Sequence, residues 1–146
     1  MNDAQARYDG VGGGFPRLRF RGFDLDRTAD GHCSARVALG WADGREYVGE
    51  ATGMASAAGE LRCAAAATVQ AISQVAGGAA GFELLGVKAV RAFDQSVVIV
   101  SLSAREGTRS LRLVGSYLTE GDPARGAALA VMNATNRVMG NFFATR

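Results

Sequence analysis

The fold is indicated most clearly by the stretch Gly44-Arg45-Glu46-Tyr47-Val48-Gly49-Glu50-Ala51-Thr52-Gly53 and the residues after it. A strand, a small-residue turn and a long apolar helix follow one another from Gly44 to Gly78. The quoted residues have the composition of a half-buried strand, and the small residues from Gly53 to Gly59 predict a turn. Apolar side chains then recur at spacings of three and four, which predicts a helix with one buried face. Gly77-Gly78 ends it, since glycine readily adopts the left-handed conformation of a helix cap.

Two further strands are predicted before this one. The run Arg17-Leu18-Arg19-Phe20-Arg21 alternates charged and apolar residues with the period of a strand that has one solvated face. A second strand follows from Cys33 to Trp41, where the larger side chains share one parity. Asp43-Gly44 is typical of a short hairpin, so we expect this strand and the next to pair antiparallel.

The second half of the chain repeats the first. Strands are predicted from Phe82 to Phe93, from Val97 to Leu102 and from Leu111 to Leu118, and Asp122-Pro123 begins the last helix. The aligned segments are Arg21-Gly22-Phe23 with Leu85-Gly86-Val87, Tyr47-Val48-Gly49 with Leu113-Val114-Gly115, and the helix at 57–76 with that at 123–140. The sequence predicts an α+β fold of duplicated β-β-β-α units, joined into one antiparallel sheet layer with both helices packed on one side.

Length and composition suit a single domain. The chain has 146 residues, of which 48% are hydrophobic, and a net charge of only +2. We predict a flexible arm at residues 1–14 and one domain at 15–146, with repeat units at about 17–78 and 82–140. The absence of a signal-like or membrane-spanning run leads us to expect a cytoplasmic protein without a membrane partner.

The residues that usually carry chemistry are few and dispersed. Cys33 and Cys63 lie among small apolar residues, and we predict that they are buried free thiols. His32 is next to Cys33 on a predicted strand, so their side chains point to opposite faces. We therefore predict no enzyme activity, no catalytic residues, no metal site and no cofactor.

The starts of the two helices are the candidate ligand sites. Gly53, Met54, Ala55 and Ser56 precede the first helix, and Thr119 and Asp122 precede the second. A helix N-terminus presents free amide groups and the positive end of a dipole, which suits a carboxylate or a phosphate. The Asp122 carboxylate would itself cap the second helix, so we expect the first start to be the better site for an anion.

The last helix carries two apolar stripes. One is formed by Ala127, Val131, Ala134 and Val138, and the other by Leu129, Met132, Met139 and Phe143. A second stripe predicts a covering surface, and we expect an interface with another copy of the chain or with a protein partner. The alternative is a large core that wraps the helix.

The order of these elements resembles the C-terminal regulatory domain of 2-isopropylmalate synthase and citramalate synthase. The resemblance covers about residues 32–140 and rests on the strand from Gly44 to Gly53, the apolar strand from Val97 to Leu102, Arg112-Leu113-Val114-Gly115, and the helix ending Ala134-Thr135-Asn136-Arg137. It implies a dimerising domain of two strand-strand-strand-helix units that binds an end-product amino acid at the helix starts. This chain has no catalytic barrel, and only Gly53 and the small residues after it match the glycine-rich ligand turn of the family.

Three functions are compatible with these features. The first is a non-enzymatic regulatory domain that forms a homodimer or larger oligomer and binds a small carboxylate or amino acid. The second is a structural subunit of a larger assembly. The third is nucleic-acid binding through Arg17, Arg19 and Arg21, which Asp24 and Asp26 disfavour by diluting the positive charge.

Overall fold

The computed structural model describes residues 18–78 and 80–144, without the side chains of residue 137 and residues 140–144. The predicted arm at residues 1–14 lies outside the described residues. The elements are β1 (Arg19–Arg27), β2 (His32–Gly40), β3 (Glu46–Met54), α1 (Ala57–Ala76), β4 (Gly81–Ala92), β5 (Gln95–Glu106), β6 (Arg109–Thr119) and α2 (Pro123–Ala144).

The predicted α+β class and its duplicated unit are confirmed. Each half is an antiparallel sheet of three strands followed by a helix, with the strand orders β1-β2-β3 and β4-β5-β6. The six strands form two separate sheets, where we had expected one joined layer. The reason is that each helix has apolar side chains on more than one side, and two sheets can bury more of those sides than one layer.

Both helices lie between the two sheets. Helix α1 packs on β2 and β3 and also contacts β4, whereas α2 packs on β5 and β6 and touches β1. The helices also pack on each other, and the buried side chains form one continuous core. In α1 the alanines at 64, 65, 67 and 71 are all fully buried. Small side chains on several sides let a helix approach both sheets closely.

A glycine in the third strand of each half brings strand and helix into backbone contact. A Cβ atom on Gly49 would overlap the carbonyl oxygen of Ala67, and one on Gly115 would overlap that of Ala130. Glycine is required at both places because any side chain would push the helix away from the sheet.

The first strand of each half contains a β-bulge at the same place. The register of β1 with β2 shifts between Phe20 and Gly22, and that of β4 with β5 shifts between Leu84 and Gly86. These are the glycines by which the sequence aligned the two halves. The bulges therefore give an independent register for comparing the two sheets row by row.

The predicted turn residues occupy the conformations expected of them. Gly31 and Gly44 have φ values of 84° and 83°, and Gly77 ends α1 with a φ of 63°. The β4–β5 hairpin is different, because Phe93 and Asp94 adopt left-handed φ values of 55° and 62° without being glycine.

Candidate functional site

The start of α1 is closed by groups of the protein itself. Ser56 is the N-cap, and its Oγ accepts a hydrogen bond of 3.0 Å from the Gly59 amide. A Cβ on Gly59 would overlap the carbonyl oxygen of Met54, so the turn is tight. The Ala55 amide donates to the Gly31 carbonyl at 2.9 Å. We had expected this start to be the better anion site. Its amide groups already have an acceptor in Ser56, and an acidic residue follows in the first turn of the helix.

That acid is Glu60 in the first turn of α1. Arg27 donates from Nε and Nη2 to the two carboxylate oxygens of Glu60, at 2.6 and 2.8 Å. These hydrogen bonds, followed by the charge of Arg27, lower the pKa of Glu60 below its ordinary value. A carboxylate near a helix N-terminus is also stabilised by the helix dipole. An external anion would have to compete with Glu60 here.

The start of α2 is capped by Asp122. Its Oδ1 accepts from the Arg125 amide at 3.1 Å, and its carbonyl accepts from the Gly126 amide at 3.0 Å. Thr119 braces the turn, since its Oγ1 accepts from the Asp122 amide at 3.2 Å. The predicted cap is therefore present, and it holds Thr119 and Asp122 together at the end of β6.

Two adjoining grooves open beside this second helix start. One has a volume of about 350 Å³ and the other about 550 Å³, which is the size range of small-ligand sites. They share a wall made by the turn after β6 and the first residue of β5. The shared residues are Gln95, Thr119, Glu120 and Gly121.

Groups of both charge signs line the grooves. Arg91 and Asp94 come from the β4–β5 hairpin and line the smaller groove, Arg125 comes from α2 and lines the larger, and Glu120 belongs to both. The Arg125 guanidinium carbon lies 5.1 Å from the centre of the Phe20 ring on β1, in a cation–π contact. This contact ties the guanidinium to the opposite half of the molecule.

Gln95 contributes the unusual feature of this wall. Its Oε1 atom is buried and has no hydrogen-bond partner. Buried polar atoms nearly always have a partner, because an unmade hydrogen bond costs about 1–3 kcal/mol. Gln95 also lines both grooves, and rotation of its side chain would turn Oε1 toward a ligand that carries an N–H or O–H group.

Sequence reasoning found part of this site and missed the rest. It singled out Thr119 and Asp122, which line the grooves, but it did not single out Arg91, Gln95 or Arg125. The missed residues come from a hairpin and a helix that only tertiary packing brings together. The predicted residues Gly53, Met54, Ala55 and Ser56 lie at the end of β3 and the start of α1, and none of them lines either groove.

The second stripe of α2, predicted as an interface, is covered to different extents. Met139 is 3% exposed and belongs to the hydrophobic core, so little of its surface remains for a partner. Leu129 is half-buried, and Met132 is half-buried against the core. The Phe143 side chain lies outside the described residues. An interface through Leu129 and Met132 stays a prediction.

The two cysteines are buried free thiols, as predicted. Their Sγ atoms lie 3.4 Å apart, and Cys33 Sγ is 3.2 Å from the Met54 carbonyl oxygen. Burial, followed by the contact with Cys33, raises the pKa of Cys63 to about 11. A thiol with such a pKa is unreactive at neutral pH. The neighbouring His32 is exposed, and its Nδ1 atom lies 3.3 Å from Oδ1 of Asp30.

The arginines of β1 face a surface of mixed charge. Arg17 lies outside the described residues, and the Arg21 guanidinium packs over Gly40 on the outer side of the first sheet. On that side Asp24, Arg36 and Glu50 form one row across the sheet. This alternation of charges offers no continuous basic track to a nucleic-acid backbone.

Within the described part of the chain, no helix combines the length and apolar character needed to cross a membrane. The same residues contain no group of three histidine, cysteine or acidic side chains placed to hold a metal ion. Comparison with models of known protein families and with curated proteins gives no match.

Proposed function

We propose that this chain is a non-enzymatic regulatory domain that acts as a homodimer and binds a small amino-acid-like zwitterion in the grooves at the start of α2. The unpartnered Oε1 of Gln95 carries this proposal, because rotation of the Gln95 side chain into the groove would let a ligand N–H relieve the cost of leaving that buried oxygen without a donor. The resemblance to the regulatory domain of 2-isopropylmalate synthase suggests the same ligand class.

The charges of the grooves suit a zwitterion better than a simple anion. Arg91 and Arg125 offer planar guanidinium groups, which pair well with a carboxylate. Asp94 and Glu120 offer carboxylates to an ammonium group. The Asp122 carboxylate already caps the helix amides, so the ligand carboxylate is expected at the arginine side chains instead.

Thermal-shift screening against amino acids and small carboxylic acids tests the proposal. We expect stabilisation by at least one amino acid and weaker stabilisation by its deaminated analogue. Calorimetric titration of the best ligand then gives the affinity. A protein that no compound stabilises would contradict ligand binding.

Two variants locate the site. Arg125→Gln and Gln95→Leu should each weaken binding about tenfold, the value of one hydrogen bond to a charged or buried group. The matched control is Arg109→Gln, which removes an exposed arginine from the first residue of β6 and should leave the affinity unchanged. If Arg125→Gln and Gln95→Leu bind the ligand as tightly as the wild type and the control do, the ligand lies elsewhere.

A further inference from the structure

The outer face of the second sheet, turned away from the helices, exposes a set of apolar side chains. Its members are between 38% and 66% exposed: Leu85, Val90, Ile99, Val114 and Leu118. They come from all three strands β4, β5 and β6 and occupy adjoining rows of the sheet. A contiguous apolar face of this kind is typical of an interaction surface, since isolated exposed apolar residues would be scattered.

The first sheet is polar at two of the three equivalent rows, and its third row, Gly22–Ala38–Val48, matches Gly86–Ser101–Val114. With the two β-bulges as the reference, each row of one sheet matches a row of the other. The polar rows Asp24–Arg36–Glu50 and Asp26–Ser34–Thr52 correspond to Lys88–Ile99–Ser116 and Val90–Val97–Leu118. The fold therefore tolerates polar residues in those two rows, and the apolar residues that replace them in the second sheet need a separate explanation.

We propose that this outer face of β4-β5-β6 is an isologous interface, on which a second copy of the chain stacks face to face with its twofold axis parallel to β5. In such an interface the same patch serves both copies, and two stacked sheets lie about 10 Å apart. With this axis β5 lies on β5, and β4 of each copy lies over β6 of the other. Val90 then meets Leu118, Leu85 meets Val114, and Lys88 lies over Ser116, whose hydroxyl can accept a hydrogen bond from the Lys88 ammonium group.

The charges at one end of the face support this partner and this axis. Glu83, Ser103 and Arg112 form one row, in which the acid lies on β4 and the base on β6. Rotation about an axis parallel to β5 places Glu83 of each copy over Arg112 of the other. The patch is thus complementary to itself, with two ion pairs formed across the interface.

The other twofold axis in the plane of the sheet is unfavourable. An axis perpendicular to β5 would keep β4 over β4 but reverse the order of the rows. Glu83 would then lie over Val90, and Arg112 over Leu118. Burying charged groups against apolar ones without a partner is costly, so the parallel axis is selected.

Pairing at the β3 and β6 edges of the sheets is a weaker route to association. On the edge strand β3, the Glu50 amide donates to Gln70 Oε1 at 2.6 Å and the Val48 carbonyl accepts from Gln74 Nε2 at 2.7 Å. On β6 the Ser116 carbonyl accepts from Asn133 Nδ2 at 2.8 Å. Helix side chains thus occupy backbone groups that a second strand would need.

This inference rests on the homodimer of the proposed function and gives it an interface. Sedimentation equilibrium of the full chain should show a dimer, and Val114→Glu should raise the dimer dissociation constant at least tenfold. Val114 is 66% exposed, so the charge should not disturb the fold, which the melting temperature checks. The matched control is Thr52→Glu, an exposed position on the outer face of the first sheet, and it should leave the dimer intact.

Charge reversal tests the register. Glu83→Arg and Arg112→Glu should each weaken the dimer by placing like charges together, and the double variant should restore it. A monomeric wild-type chain, or a dimer that Val114→Glu leaves unchanged, would overturn the proposal. Failure of the double variant to recover would overturn the assigned axis.

The dimer and the ligand are measured separately. Titration of Val114→Glu with the ligand found by thermal shift tests the grooves without the interface. A dimer with no ligand would contradict the ligand proposal alone, and a ligand-binding dimer that Val114→Glu leaves intact would contradict the interface alone.

Discussion

The backbone of Gly49 in β3 lies directly against the backbone of Ala67 in α1, because Gly49 has no side chain to hold the helix away. A Cβ at Gly49 would overlap the Ala67 carbonyl oxygen and would lie 2.7 Å from the amide nitrogen of Ala71. Backbone atoms cannot rotate aside as a flexible side chain can. This contact sets the distance between the first sheet and its helix.

Gly49→Ala should therefore destabilise the protein by about 3 kcal/mol, the upper end of the usual cost of overpacking a filled core, because the clash is with backbone atoms. Urea denaturation measures the change. Gly22→Ala is the control, since a Cβ there would meet nothing within 4 Å. It should alter stability by less than about 0.5 kcal/mol. Equal effects of the two substitutions would mean that the strand and helix are not in contact at Gly49.

The ion pair of Arg27 with Glu60 should make stability depend on acid. Arg27 lowers the pKa of Glu60 in the folded state, so the unfolded chain takes up this proton at a higher pH. The contribution is present above the ordinary value of 4.5 and is lost as the pH falls below it. Glu60→Gln should melt at a lower temperature than the wild type at pH 7, and the gap should narrow toward pH 3. Glu46→Gln, at an exposed position, serves as the control. A gap that is constant with pH would contradict this account.

The buried thiol of Cys63 should make the free energy of unfolding fall as the pH rises, which is opposite to the effect of Glu60. Its pKa is raised from 9.0 to about 11, so the unfolded chain loses this proton first as the pH rises. The contribution of this thiol to the free energy of unfolding should be complete below pH 9 and should fall between pH 9 and about 11. Cys63→Ala should lack this part of the decline, measured as the free energy of unfolding against pH. Parallel curves for the two proteins would disprove the shift.

The same burial should protect Cys63 from alkylation. Iodoacetamide at pH 8 should label it far more slowly in the native protein than in urea, since the thiolate is the reactive form. Mass spectrometry of the digested protein separates the labelling of Cys63 from that of Cys33. Rapid labelling of the native thiol would show that it is accessible and ionised.

The β4–β5 hairpin offers a stabilising substitution. Phe93 is 96% exposed and adopts a φ of 55°, so it pays the left-handed strain without packing on anything. Phe93→Asn should stabilise the fold by about 1 kcal/mol, because asparagine suits the first position of such a turn. Phe93→Leu keeps the strain and should change little. Destabilisation by asparagine would indicate that the phenyl ring makes contacts that stabilise the fold.

The candidate site shows where reasoning from local pattern stops. Asp122 was identified because a carboxylate before proline predicts a helix cap from adjacent residues alone, and it does accept from the Arg125 amide. Gln95 was not identified, since it is unremarkable in its own strand. Its importance comes from an oxygen left without a donor, and burial of that atom is a property of the packed molecule.

The second sheet shows the same division. The apolar run from Val97 to Leu102 predicted a strand, and in β5 the consecutive residues Val97, Val98, Ile99 and Val100 make both faces apolar. The usual inference is that both faces are covered within the chain. In this fold α2 covers the face of Val98 and Val100, while Ile99 remains 38% exposed on the other. The sequence pattern indicated that both faces are covered, but it did not indicate whether the covering surface belongs to the same chain or to a second molecule.

Local sequence was enough to establish the order of the elements, the turns, the caps and the duplication, because each depends on residues close together in the chain. Whether the two units would share one sheet or place their helices between two sheets depended on packing between distant parts of the chain. The helices have apolar side chains on several sides, and two sheets bury more of that surface than one joined layer would. Because many of these side chains are alanines, both sheets can approach the helices closely. That arrangement brings Arg125 to Phe20 across the halves and leaves one face of β4-β5-β6 open.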